Sequence, residues 1–346
     1  MTHQTAAGSL RPHILTLGTA GGPKWWKGPR AGERTGIATA VVVGENIYLV
    51  DCGHGVGRQM ARAGLELKNL RGIFLTHLHS DHTVDLASLA IFGLYELLDR
   101  ASDPVKVIGP GNRGMLPKVS PRAKVAPQPI FPELPTPGTK EMFELLMHAH
   151  ATDLNDRILD SLRPSPLELF EASDIEIPEG IGYHPNDSPT PAMEPFVIFE
   201  DDLVKVSAIL VEHPPVAPAF GFRFDTAEGS VTFSGDTAPT ENMIALAKDT
   251  DLLVHEAIDF GWVDSVYNHK ADEASRAARD HHYKSHTGVA DAAQIAQKAG
   301  ARQLALHHLV PGTADAAQIA QQAAQHFDGT FHLPNDLSVI GLRPGS

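Results

Sequence analysis

Cysteine is almost absent: Cys52 stands alone in 346 residues, so no intramolecular disulfide can form, which fits a reducing compartment. Long apolar runs are missing as well. No stretch approaches the roughly 18 residues that a membrane span requires, and residues 1–11 lack a basic segment followed by an apolar one. The expectation is a cytoplasmic address and no membrane partner. Positive charge is in short supply, with 28 Lys+Arg against 42 Asp+Glu and a net charge of -14. Broad phosphate-binding surfaces are built from lysine and arginine, so this balance argues against a nucleic-acid footprint. What is present, a 42% hydrophobic share of a 346-residue chain, suffices for one large domain (1–346) carrying insertions.

The chemistry concentrates in residues 73–85, where the apolar run Gly72-Ile-Phe-Leu-Thr reads as a short buried strand and is followed by His77-Leu-His79-Ser-Asp81-His82. Three imidazoles and a carboxylate in six residues are costly inside a fold unless a divalent cation offsets their desolvation and crowding. Zinc suits that donor set. His77 and His79 lie two apart, so an extended segment projects them to one side and onto one metal. Asp81 and His82 follow as the chain turns into the amphipathic helix expected over 86–100 and point elsewhere, which suggests two metals.

His77-Leu-His79-Ser-Asp81-His82 resembles the signature of the metallo-β-lactamase superfamily. The resemblance implies an α/β (α+β) fold, a four-layer αββα sandwich with metals at one edge of its two sheets. It covers about residues 13–110 and 196–342, and it is specific to the ribonuclease Z and arylsulfatase-like branch. The evidence for that branch is His213 before a proline-containing loop, followed by Gly221-Phe-Arg-Phe224.

By that resemblance His213 is the third ligand of the first metal, with His77 and His79. Asp236, in the strand-end run Ser234-Gly-Asp-Thr237, is the bridging ligand, and Asp81, His82 and His308 hold the second metal. Counting back from Pro311 puts the ligand at His308 and leaves His307 where a Thr or Ser is usual, so the part played by His307 stays open. Asp51, in a strand-ending Asp-Cys-Gly turn, supports the metal edge rather than ligating, and His54 is a lesser pocket candidate. The branch also implies an acid dyad of His286 oriented by Glu256.

Two further segments invite expectations. Gly18–Arg30 is rich in glycine and proline around Trp25-Trp26, two indoles that a regular element cannot easily bury together. They form either a substrate-facing loop or a plug at the sandwich edge. Residues 112–190 carry frequent prolines around one helical pattern, 139–162, and read as a Pro-rich, partly helical insertion, either a lid or a dimer arm. Its 7 Lys+Arg and 12 Asp+Glu make it acidic. His148, His150 and His184 within it lack paired ligand motifs and read as solvated or packing residues. Residues 331–342 read as one closing strand.

The expected cofactors are two Zn2+, with Mn2+ or Fe2+ open; diiron relatives replace the second His of the first cluster, and His79 argues against that variant. A metal-bridging hydroxide would attack phosphorus, sulfur or a carbonyl carbon, with Asp81 orienting it and His286 protonating the leaving group. Because the charge is acidic, the expected substrate is a small-molecule sulfate ester or phosphodiester. A lactone or carboxylic ester is the alternative, and tRNA 3′-processing is disfavoured by the charge. Relatives of this branch imply a homodimer.

Overall fold

The computed structural model describes residues 11–27, 34–98 and 103–343. Residues 28–30 of the glycine-rich segment, and the last two of the expected helix 86–100, lie outside the described residues.

β-Branched and aromatic residues in short runs set up two seven-stranded sheets. The first takes β1 (His13–Gly18), β2 (Ala38–Val43), β3 (Asn46–Val50), β4 (Leu70–Phe74), β5 (Val105–Pro110) and β6 (Phe170–Ile175). The second takes β7 (Phe196–Glu200), β8 (Val204–Leu210), β9 (Phe220–Thr226), β10 (Gly229–Phe233), β11 (Leu252–Ile258), β12 (Gln303–Val310) and β13 (Thr330–His332). A last strand, β14 (Val339–Gly341), returns to the first sheet beside β1, giving the orders β14-β1-β2-β3-β4-β5-β6 and β13-β12-β11-β10-β9-β8-β7.

Successive strand residues face opposite sides, and both sides are apolar, which is why these strands read as continuous hydrophobic runs. In β4, Ile73 joins a core under the helices Val56–Ala63, Leu86–Glu96 and Thr139–Ala149, while Phe74 joins the core between the sheets. In β11, Leu252 and Val254 face the first sheet, while Leu253 faces the helices Glu241–Leu246, Val289–Ala299 and Ala316–Ala323. Three apolar interfaces separate four layers: helices, sheet, sheet, helices. The expected sandwich is the observed fold. No helix among the described residues is long and apolar enough to cross a membrane.

Strand direction decides which ends meet. β4 runs parallel to β3 and β5, and β10, β11 and β12 run parallel to one another. β8 is antiparallel to β9, which is antiparallel to β10, so β8, β10, β11 and β12 all end at one edge.

Three expectations change. The helical pattern 139–162 is two helices, Thr139–Ala149 and Ala151–Leu159, broken at His150. Residues 331–342 form two short strands in different sheets, β13 and β14, because Pro334 interrupts the run and Asp336 turns back to accept hydrogen bonds from the Thr35 amide (2.6 Å) and Thr19. Residues 112–190 are not one insertion: Phe143, Met147 and Leu154 pack into the helix-side core, and β6 pairs in register with β5. The irregular stretches are 111–138, before the helices, and 176–195, after β6. His148 and His150 are exposed, and the half-buried His184 accepts the Asp187 amide at 3.1 Å.

The inter-sheet core is pinned by Phe74, fully buried, with ring centroids 5.1 Å from Phe224 and 5.5 Å from Phe199. Phe74→Ala is expected to cost about 3–5 kcal/mol of unfolding free energy, measured by urea denaturation; a loss below about 1 kcal/mol would show that the sheets are not locked at this ring.

Candidate metal centre

β4 stops at Phe74, and Leu75–His79 turn into the short helix Ser80–Thr83. Beneath the turn lies Asp51, at the end of β3, with a left-handed φ of 62°. Its carboxylate accepts the Thr76 amide (2.8 Å), the Thr76 hydroxyl (3.0 Å) and His82 Nδ1–H (2.8 Å). The Asp51 contacts therefore fix the turn and aim His82 through its Nε2.

The sheet edge gathers two donor groups. His77, His79, His213 and Asp236 make one, and Asp81, His82 and His308 the other; ligand atoms within each group lie within 4.8 Å of one another. Asp236 divides its oxygens between them. Oδ2 is 3.9 Å from His77 Nε2 and 4.0 Å from His213 Nε2, while Oδ1 is 3.5 Å from His82 Nε2 and 3.3 Å from His308 Nδ1. Behind the cluster, His213 Nδ1–H donates to the Ser285 carbonyl at 2.8 Å, which leaves Nε2 facing inward.

These donors suit divalent cations. His77 Nε2, His82 Nε2, His308 Nδ1 and Asp236 Oδ1 are buried and make no hydrogen bond, a costly arrangement for groups that nothing else satisfies. Burial pushes His77, His79 and His213 below the usual imidazole range, into the neutral form that binds metal. His82 is the exception: although burial opposes it, the carboxylates of Asp236, Asp51 and Asp81 raise it well above. Asp81 and Asp236 stay ionised in spite of burial because His82 and His308 stand beside both. A cation would take over the role of the His82 proton.

His286 follows the helix Glu273–Ser285. Its Nδ1–H reaches both oxygens of Glu256, at 3.0 and 2.9 Å, and Glu256 Oε1 also accepts the Thr237 amide at 2.6 Å. Burial raises the Glu256 carboxyl. Burial works against protonated His286 too, but Glu256 and Asp236 raise it to about 9. Asp236, Glu256 and His286 also lie close enough to form a third donor group; with Glu256 held onto His286 Nδ1, it is an orienting pair beside the metal groups.

The His307-His308 doublet is settled by a bulge. β11 and β12 shift register after Glu256: His307 pairs with Glu256 and Leu309 with Ala257, so His308 is the extra residue. His308 takes a left-handed φ of 46° and turns to Asp81 and Asp236. His307 is buried between the sheets, 3.4 Å from Thr39 Oγ1, and belongs to neither donor group. Two glycines make room for the centre. A Cβ at Gly21 would lie 2.4 Å from the His308 ring, and Gly235, at φ 59°, would press on the Phe220 carbonyl at 2.7 Å.

The two tryptophans divide. Trp25 is 81% exposed, whereas Trp26 is half-buried and donates from Nε1 to the Gly21 carbonyl at 3.0 Å. A cavity of about 350 Å³ lies between Trp25, Trp26, His54 and Asp81. A second, of about 420 Å³, opens onto His79, Asp81, Asp236, His286 and His308. Its far wall comes from residues that sequence reasoning missed: Trp262 and Tyr267 on the helix Phe260–Tyr267, and His281 and His282 on Glu273–Ser285. The available signals were Asp259 and Asp272, which cap these helices, and a second His pair four residues before His286.

The excursion 111–138 also reaches this edge. Arg113 donates to the Pro215 carbonyl beside His213, and Arg122 pairs with Asp280 (2.5 Å) on the helix that carries His281 and His282. Averaged over 112–190 the charge is acidic, yet 111–138 holds Arg113, Lys118, Arg122 and Lys124 against Glu133 alone.

Comparison with known proteins places the chain. Residues 32–93 match the family described as the metallo-beta-lactamase superfamily, and residues 168–309 match a beta-lactamase superfamily domain. A ribonuclease Z of Mycobacterium sp. (strain KMS) is 31% identical over 319 residues, covering 90% of this chain and 92% of the relative. A ribonuclease Z of Mycobacterium bovis is 28% identical over 317 residues, covering 90% and 94%. Among solved structures, human short-form tRNase Z has a TM-score of 0.59 at 18% identity, covering 95% of this chain and 99% of that one. A metallo-beta-lactamase fold protein of Bacillus subtilis has a TM-score of 0.57 at 15% identity, covering 95% and 99%. The names of the mycobacterial relatives pull against the expectation, drawn from net charge, that nucleic acid is disfavoured as a partner. With matched segments on both halves and a relative of that identity along nearly its whole length, the chain belongs to the metallo-β-lactamase superfamily, as a metal-dependent hydrolase on the branch of its ribonuclease Z relatives.

Proposed function

We propose that the chain is a zinc-dependent phosphodiesterase and that RNA 3′ ends are its leading substrate class. The observation that carries this reading is the division of Asp236 between two donor groups beside His286, whose Nδ1 is held by Glu256. The full-length relatives named ribonuclease Z support the RNA assignment.

His77, His79 and His213 would hold one ion, Asp81, His82 and His308 the other, and Asp236 would touch both. Bound there, two divalent ions would supply Lewis acidity toward the phosphoryl oxygens and lower the pKa of water. Asp81, which lines both cavities and is fixed by the Gly22 amide at 2.9 Å, orients the attacking water. His286 holds its acidic proton on Nε2, because Glu256 occupies Nδ1, and passes it to the leaving oxygen. The excursion 111–138, tied to the His213 loop and to the helix of His281, serves as a lid or strap over this edge.

A second reading is hydrolysis of a small sulfate ester or phosphodiester. The specific observation in its favour is that the charges of Lys118 and Arg122 of the strap are already paired with Asp187, Asp280 and Glu273. A matched panel separates the readings: a tRNA precursor with a 3′ trailer, bis-p-nitrophenyl phosphate, p-nitrophenyl sulfate and p-nitrophenyl acetate. Cleavage of the precursor and the phosphodiester, with the sulfate and acetate inert, is the expected result. Turnover confined to the sulfate supports the second reading, and turnover confined to the acetate would remove attack on a tetrahedral anionic centre altogether.

Two variants test the division of labour. His286→Ala should lower kcat about 10²- to 10⁴-fold with zinc content unchanged by atomic absorption; full activity would take His286 out of the mechanism. Asp236→Ala should lower the zinc bound per chain from two, while an unchanged stoichiometry would show that Asp236 bridges nothing. Dialysis against a chelator should abolish turnover, and added zinc should restore it.

A further inference from the structure

We propose that Trp26, Trp262, Tyr267 and His282 form an aromatic slot that takes a planar ring of the substrate next to the scissile ester, in an RNA the nucleobase flanking the cut. The inference deepens the phosphodiesterase reading and rests on it.

The chain has three tryptophans, and all three are at this edge. None belongs to the core between the sheets or to either helix-side core. Large indoles left out of the cores of a 346-residue fold and collected around one opening are unusual as packing, since burying them is a large source of stability. Trp26 and Trp262 pack instead on a small satellite of Ile258, Val263 and Val310. Their ring centroids are 5.4 Å apart at 72°, edge to face rather than stacked. Tyr267 and His282 continue the wall, with centroids 5.6 Å apart, and His282 lies 6.0 Å from His286. The wall thus begins one ring away from the acid of the dyad.

The slot is held in register with the metal centre. Trp262 sits in the first turn of a helix whose cap, Asp259, accepts the Gly261 and Trp262 amides at 2.8 and 3.2 Å, directly after the strand that carries Glu256. Trp26 hangs from the Gly21 carbonyl, and Gly21 abuts the His308 ring. Gly312 completes the seat: a Cβ there would meet Trp26 at 2.6 Å.

Size and charge fit an aromatic phosphate. The cavity of about 420 Å³ is in the range of small-molecule sites. Lys24 Nζ lies 4.9 Å from the Trp26 ring centroid and 5.9 Å from that of Trp262, with no carboxylate within 4.0 Å among the described residues. A cation over the wall favours an anionic ligand at the mouth of an otherwise acidic protein. Aromatic platforms recognise any base by its π-face and so give ring selectivity without sequence selectivity.

The test is direct binding, because every tryptophan reports on this edge. Zinc-loaded protein is titrated with adenosine 5′-monophosphate, phenyl phosphate and ribose 5-phosphate, following tryptophan emission and, independently, the heat of binding. The expected result is quenching by the two ring-bearing phosphates and binding about tenfold tighter than that of ribose 5-phosphate. Preference for the adenosine compound over phenyl phosphate assigns the slot to a nucleobase, and the reverse assigns it to a simple aryl group. Trp262→Leu should remove the ring preference while leaving zinc content and ribose 5-phosphate binding intact; Tyr267→Leu, at the far end of the same helix, is the substitute should Trp262→Leu fail to fold. Equal or absent binding of all three phosphates, or a preference that survives both substitutions, overturns the slot. Ring-selective binding without phosphodiester turnover would overturn the phosphodiesterase reading alone.

Discussion

Everything at the functional edge depends on compensating buried negative charge. Asp51, Asp81 and Asp236 converge on His82, all of them buried, and a carboxylate removed from water costs several kcal/mol unless it is paired. The protein answers only part of that demand, since burial keeps His77 and His213 neutral. Divalent cations would answer the rest, and the four buried donor atoms left without hydrogen bonds fit such ions. The local backbone is distorted to the same end. Asp51 and His308 both take left-handed conformations that cost about 1–3 kcal/mol each, and each distortion points a donor or its support at the centre.

The sandwich supplies the framework that holds this charge in place. Because β4 of one sheet and β8, β10, β11 and β12 of the other end at a common edge, residues far apart in the chain meet there without any long loop having to carry them. The same arrangement stiffens the dyad. Glu256 is a strand residue gripped by the Thr237 amide, so His286 is positioned by a sheet rather than by a flexible segment.

How much of this was legible in the sequence depends on how local each signal is. The donors of the first cluster sit in six consecutive residues after an apolar run, a pattern with one chemical explanation. His213, Asp236 and His308 were legible through resemblance, each at a strand end. Counting back from Pro311 already put the ligand at His308; where His307 goes was not legible, because a bulge in β12 decides it, and a bulge is a property of the pairing. His281 and His282 were missed for another reason: the helix Glu273–Ser285 mixes Glu, Arg, Asp and Lys with its His pair, and its sequence reads like any solvated face; Trp262 and Tyr267 lie on the apolar helix Phe260–Tyr267, which reads like a core element. Residues 331–342 looked like one strand because the partner that bends them, Thr35, is some 300 positions away. Averaging charge over 112–190 concealed a basic first third that reaches the site.

Net charge of the whole chain is therefore not the charge that a substrate meets. The field that an approaching ester meets is that of the edge, where bound divalent ions would offset the nearby carboxylates. Two dications would set four positive charges against Asp51, Asp81, Asp236 and Glu256, and protonated His286 adds one more. Burial keeps His281 and His282 neutral, at about 3 and about 4, so the wall beyond contributes shape and polarisable surface rather than charge. With ions bound, an anionic ester would thus be drawn to the centre whatever the sign of the remaining surface. Discrimination among anionic esters falls to the groups flanking the scissile bond, and the aromatic wall around Trp26 and Trp262 is what those groups would touch.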